Sequence, residues 1–156
     1  MLNRKDYAER RSVMKTLSLI MVAALFLLIP NALYAATELS KAPPEAKAYV
    51  ISPVDGETVQ NPVTIRFGLK GMGVAPAGVV MENTGHHHLL LDVKALPSLD
   101  SPILKDGNHM HFGGGQTETM LTLQPGTHTL QILLGDHRHI PHDPPVVSER
   151  ITITVK

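Results

Sequence analysis

The chain has 156 residues, with 14 Lys and Arg against 14 Asp and Glu, nine His and no Cys. The absence of cysteine excludes disulfides, thiolate metal sites and a lipid-anchored lipoprotein. Five basic and two acidic residues fall in the first 36 positions, so the remainder carries 9 basic against 12 acidic groups; a mildly acidic surface without a Lys/Arg cluster offers no grip on a phosphate backbone and argues against nucleic-acid binding.

Arg4, Lys5, Arg10, Arg11 and Lys15 precede the apolar run Leu17 to Ile29. A membrane-spanning helix needs about 20 apolar residues and a secretory h-region roughly 7 to 15, so the run predicts a signal peptide over residues 1–36. Pro30-Asn31 ends its helix, and cleavage after Ala35 or Ala36 fits. Neither cut has a clean Ala-x-Ala, because Leu33 or Tyr34 stands two residues before it, which leaves an uncleaved anchor as the alternative. Met14-Lys15 would open a compact signal as a second possible start. The expectation is an exported protein, periplasmic or secreted, with no stable membrane span after cleavage. Removing 36 residues leaves 120, enough for one hydrophobic core.

Thr37 to Lys47 reads as a polar, proline-containing linker, and residues 48–156 as a single domain. In that domain the apolar period is two: Val63, Ile65, Phe67 and Leu69 alternate with Thr64, Arg66, Gly68 and Lys70, the pattern of a strand with one buried face. The same reasoning predicts strands at Ala48 to Ser52, His86 to Val93, Thr117 to Leu123, His128 to Leu134 and Val147 to Val155. Turn sequences such as Pro53-Val54-Asp55-Gly56, Asn61-Pro62 and Gln124-Pro125-Gly126 separate them. No helical stripe follows residue 36. The expected fold is all-β, a single antiparallel β-sandwich of immunoglobulin-like type. Three long connections, Gly71 to Gly85, Lys94 to Asn108 and Gly135 to Pro145, have the length of functional or sheet-crossing loops.

All nine histidines lie between His86 and His142, and six form His-x-His pairs: His86/His88, His109/His111 and His137/His139. Residues two apart on a strand share a face, so each pair aims both imidazoles the same way. Imidazole suits transition metals, whereas calcium and magnesium want oxygen ligands. On His86 to Val93, His87 shares a side with Leu89, Leu91 and Val93 and points toward the core, while His86 and His88 face the opposite way beside Asp92, as ligands or as surface residues. His128 follows a Pro-Gly turn and is expected to tie down a corner by bonding backbone, where sandwich domains often use tyrosine. His109 and His111 precede Gly113-Gly114-Gly115, either an anion-binding nest or a bulge before the next strand. His137, His139, His142 and Asp143 sit on a proline-stiffened loop, which lowers the entropy cost of gathering ligands.

Three segments carry a resemblance: Asn83-Thr84-Gly85-His86-His87-His88, His109-Met110-His111-Phe112-Gly113-Gly114-Gly115-Gln116-Thr117-Glu118-Thr119 and Leu134-Gly135-Asp136-His137-Arg138-His139-Ile140-Pro141-His142-Asp143-Pro144-Pro145. With Gly71 to Gly78, they make the chain from Tyr49 to Val155 similar to an uncharacterised family of exported bacterial proteins, a domain of unknown function. The resemblance implies an envelope location and a compact all-β domain. It transfers no catalytic residue.

The residues therefore point to a periplasmic protein that holds copper or zinc through His86, His88, His109, His111, His137 and His139, with His142 or Asp143 as further ligands. The exported compartment, the missing cysteine and the thioethers of Met72, Met81 and Met110 near the histidines tilt the choice toward copper. Ligand imidazoles must be unprotonated, so uptake is expected to fail below about pH 6.5. A second reading is a non-enzymatic interaction domain of the cell envelope whose histidines form a structural or pH-sensitive network. A third is a metalloenzyme in which Glu118, Asp136 or Asp143 acts as general base beside a metal-bound water.

Overall fold

A computed structural model describes residues 38–156; the predicted signal peptide lies outside the described residues. Among the described residues, nine strands form two sheets: β1 (Lys47–Ser52), β2 (Thr58–Val59), β3 (Val63–Lys70), β4 (Gly73–Val74), β5 (Thr84–Leu91), β6 (His109–His111), β7 (Glu118–Leu121), β8 (Gly126–Gly135) and β9 (Ile151–Val155). The smaller sheet runs β1-β3-β7 and the larger β2-β9-β8-β5-β4, with β6 paired to β5. The two sheets pack into an all-β sandwich, as the alternating pattern predicts. Among the described residues there is no helix long and apolar enough to cross a membrane.

The core follows from strand alternation. Val63, Ile65 and Phe67 of β3 face Leu89 and Leu91 of β5, Leu130, Ile132 and Leu134 of β8, and Ile153 and Val155 of β9 in one buried cluster. Burying a Leu, Ile, Val or Phe side chain contributes roughly 1.5–3 kcal/mol each, so this layer dominates stability. β5 differs from its neighbours because every residue from Gly85 to Leu91 is buried. Its inner face carries His87, Leu89 and Leu91. Its outer face, His86, His88 and Leu90, is roofed by long connections: Leu90 packs with Ile103 and Leu133, beside Val93 and Val147.

Differences from the sequence reading are local. β2, β4 and β6 span only two or three residues, too short for alternation to register, and β2 and β4 pair in parallel with β9 and β5, so the sandwich is not purely antiparallel. The predicted strand Val147 to Val155 begins at Ile151. Ahead of it the chain follows β8 irregularly, with Leu134 N donating to Val146 O at 3.0 Å and Ser148 N to Ile132 O at 2.9 Å. From Glu38 onward the polar stretch before β1 is hydrogen-bonded to the domain, including Asp143 N to Ser40 O at 2.9 Å.

His128 ties down the corner as expected. Its Nε2 faces Gln124 O at 2.8 Å and its Nδ1 faces Asp92 Oδ2 at 2.8 Å, while Asp92 Oδ1 accepts Thr129 N at 2.8 Å. Asp92 adopts φ 57°, a left-handed conformation that Asp tolerates. Both ring nitrogens meet acceptors, which favours the doubly protonated ring. Burial opposes that charge, yet the Asp92 carboxylate and the Gln124 carbonyl outweigh it, and the pKa is raised above 6.5. The contribution is thus complete below pH 6.5 and fades as pH rises through the folded pKa. His128→Ala should lower the unfolding free energy by about 2 kcal/mol at pH 6, measured by urea denaturation, with a smaller difference at pH 9. Equal stability of variant and parent at pH 6 contradicts the corner role.

Candidate metal centre

β5 and β6 present histidines on the outer face of the larger sheet. In the antiparallel pairing His88 stands opposite His111, and on the other flank His86 stands opposite Gly135 of β8. The turn after β8 returns His139 over them. The ring centroids of His86, His88, His111 and His139 are separated by 4.7 to 5.1 Å in five of six pairs and by 6.2 Å for His88 and His139. Four imidazoles held tetrahedrally by zinc at about 2.0–2.1 Å place ring centroids about 5 Å apart. Ligand nitrogens of His86, His111 and His139 all lie within 4.8 Å of one another. A tetrahedral ion spaces its ligand atoms about 3.3 Å apart, so these three rings need to close by under about 1 Å each. His88 stands beside the trio as the nearest fourth donor.

Two glycines make room for these rings. A Cβ on Gly113 would collide with the His111 imidazole, and one on Gly135 would lie 2.7 Å from His88 Cε1. The glycine run is therefore a seat for a histidine that precedes it. Gly115 closes the turn, with φ 82° and its N donating to Phe112 O at 3.1 Å.

Asp136 organises the turn that carries His139. Its buried carboxylate accepts Arg138 N at 2.7 Å and Ile140 N at 3.0 Å through Oδ1, and Ser40 Oγ at 2.7 Å and Arg138 Nη2 at 2.9 Å through Oδ2. His139 N donates to Asp136 O at 2.9 Å, and His139 O accepts Ile103 N at 2.9 Å. Held in this way, His139 takes φ 69°, which costs of order 1–3 kcal/mol for a non-glycine residue and persists only where surrounding contacts enforce it. Sequence reasoning saw Asp136 only as a possible base. An Asp three residues before a loop histidine was the available signal, since Asp side chains bond backbone two residues on.

The other predicted residues lie elsewhere. His109 sits opposite Leu90 and its Nδ1 pairs with Asp106 at 2.9 Å. His142 is buried with Nε2 donating to Thr84 O at 3.1 Å. His137 and His142 line a separate cleft of about 500 Å³ with Glu38, Lys41 and Met81. Asp143 pairs with Lys41 at 2.7 Å and Glu118 with Arg66 at 3.1 Å. All three carboxylates suggested as general bases are thus engaged with other groups. The thioethers are also remote in chemistry: Met72 and Met110 pack against the core and Met81 is exposed. What converges is an all-nitrogen set.

Burial fixes its charge state. Both nitrogens of His86, Nδ1 of His88 and Nε2 of His111 are buried without a protein hydrogen-bond partner. Burial first, then repulsion from His139 and His111, pushes His86 down to about 4. Burial, reinforced by His86, His111 and His139, pushes His88 down to about 3. Burial also lowers His111. His86 and His88 therefore stay neutral and ligand-competent well below the pH 6.5 limit expected of free imidazoles. Burial alone would raise the Asp136 carboxyl, but Ser40, the Ile140 amide and Arg138 overcome it and hold the group at about 2.

A family described as a domain of unknown function (DUF4399) matches residues 65–156, more than half of the chain. No curated protein and no solved structure matches.

In the metal-free protein, unfolding lets His86 and His88 take up protons at the ordinary 6.5 rather than near 4 and 3. Stability present at neutral pH is then lost as pH falls from 6.5 through this window, with a slope of up to about 1.4 kcal/mol per pH unit for each ring. Urea unfolding at pH 7, 6 and 5 should show the decline, and replacing both rings by Leu should make it shallower, His87, His111 and His142 retaining the rest. A parent protein equally stable at pH 7 and pH 5 contradicts the buried, neutral state.

Proposed function

The chain belongs to this family of domains of unknown function, and we propose that it is an exported, periplasmic metal-binding protein that holds copper(II) or zinc. The carrying observation is the convergence of His86, His111 and His139 with ligand nitrogens within 4.8 Å of one another. Chemistry supports the reading: neutral imidazoles suit both ions, and with Met72 and Met110 packed against the core and Met81 exposed the thioether argument for copper(I) falls away. Export is supported by the basic-then-apolar leader of residues 1–36.

A purely structural histidine network fits less well. Buried polar groups in such networks satisfy one another, whereas both nitrogens of His86 and Nε2 of His111 find no protein partner; core-facing His87 shares that lack, so the convergence of the rings carries the distinction. A bound cation would use one lone pair from each ring, the other nitrogen of a neutral imidazole being an N–H. The chain's own contribution is to hold two donors on paired strands and bring the third from a loop. The metal would supply Lewis acidity only if a coordination position stays open, and His88 is the side chain placed to close it.

The test is dialysis at pH 7.5 against excess zinc or copper(II), then metal-free buffer and elemental analysis. One equivalent should remain, and ligand at 1,000 times its dissociation constant should add about 4 kcal/mol of stability that chelator removes. His86→Ala, His111→Ala, His139→Ala and Gly113→Ala should each abolish retention, whereas His109→Ala and His137→Ala should keep it. A metal-free product with melting indifferent to metal and chelator would end the proposal.

A further inference from the structure

Two of the three convergent ligands are fixed by the sheet, and one is not. His86 lies inside β5 and His111 inside β6, so their backbones are held by ladder hydrogen bonds on paired strands. His139 belongs to a turn, and its placement depends on the Asp136 carboxylate. That carboxylate is held by Arg138 and Ile140 of its own turn and, from far away in sequence, by one further segment.

The segment is Glu38–Ala42. Ser40 Oγ donates to Asp136 Oδ2 at 2.7 Å, and Arg138, itself bonded to Asp136, donates through Nη2 to Glu38 O at 2.9 Å. Beyond the turn, Ala42 N donates to Asp143 O at 3.2 Å, Asp143 N to Ser40 O at 2.9 Å, and Lys41 pairs with Asp143 at 2.7 Å. The segment thus brackets the ligand loop at both ends. It is attached mainly by polar contacts. Only Ala42 reaches the core, while Glu38 and Lys41 are exposed and Leu39 and Ser40 half-buried. Glu38 to Lys41 line the 500 Å³ cleft together with Val80 to Thr84 and Asp136. Segments with few buried apolar contacts and solvent-reached hydrogen bonds open at a small fraction of the global unfolding free energy. Pro43-Pro44 follows directly, ahead of β1, and stiffens the point about which the segment would swing.

We propose that Glu38–Ala42 is a latch on the ligand loop: docked, it holds His139 in ligating position through Ser40 and Asp136, and undocked, it frees the loop so that metal can enter or leave. This rests on the metal-binding reading and adds its regulation. The slow step of metal exchange is then release of the segment and loop, with His86 and His111 remaining in place. An acceptor of metal gains access by competing for the segment rather than by unfolding the sandwich.

Full-length Ser40→Ala removes the one side-chain hydroxyl of the latch that reaches Asp136, and Ser40→Thr retains it. Two readouts are needed. Zinc transfer from the loaded protein to excess EDTA at pH 7.5 should accelerate about tenfold in Ser40→Ala and return toward parental in Ser40→Thr, the change expected from losing a hydrogen bond to a charged group. Amide hydrogen exchange in metal-free protein should accelerate by a similar factor at Arg138, His139 and Ile140 and remain parental at Leu89 and Ile132. Parental exchange at residues 138–140 in Ser40→Ala, or equal acceleration throughout the sandwich, overturns the latch. If the parent protein retains no zinc, the metal-binding reading fails, and the amide exchange alone still decides whether the segment governs the loop.

Discussion

Burial of the outer face of β5 is the constraint on which the site depends. A strand in an antiparallel sandwich ordinarily gives one face to the core and the other to water. Here the connections through Ile103 and His139 cover the second face as well, and the rings of His86 and His88 lie under that cover with almost no exposure. Solvent removal accounts for their depressed proton affinity and leaves their lone pairs without partners. The same loops over solvent would leave four hydrated, separately titrating surface imidazoles.

Much of the architecture was legible in the chain. Period two in Val63 to Lys70 and the Gln124-Pro125-Gly126 turn marked strands and corners correctly, because a half-buried strand imprints its pleat on the residue order. The inward direction of His87 followed from the same parity, and the corner role of His128 from the Pro-Gly turn that precedes it. The roof over β5 was not legible. Nothing in Lys94 to Asn108 alternates, and whether a loop covers a face depends on long-range packing that no local pattern encodes. For the same reason the His-x-His spacing grouped His109 with His111 and His137 with His139, while the structure brings only one member of each pair to the cluster. Parity aims two side chains in one direction, but their partners across the sheet differ: His111 meets His88 and His109 meets Leu90.

The three convergent histidines differ in how firmly the fold holds them. Two come from strands whose positions follow from the core, and a third comes from a turn that relies on one carboxylate and a distant segment. This division places rigidity and adjustability in separate parts of the chain. The rings lie slightly wider than a bound ion requires, and the turn is the part able to move inward. Glycines at 113 and 135 are kept free of side chains by the volume of neighbouring imidazoles, so their constraint is steric and not one of backbone angle.

Three consecutive histidines on β5 also bear on strand alignment. Sliding β5 by one residue against β8 would exchange its faces, driving His86 and His88 against Phe67 and the aliphatic layer and sending Leu89 and Leu91 outward. In the native alignment only the single His87 enters that layer, where its ring lies 5.4 Å from Phe67. A shifted alignment would bury two imidazoles among hydrocarbons in place of one and dismantle the four-ring cluster together. The donors that would grip a metal thereby also act as a ruler for the sheet, and an ion seated among them would penalise misaligned pairing during assembly.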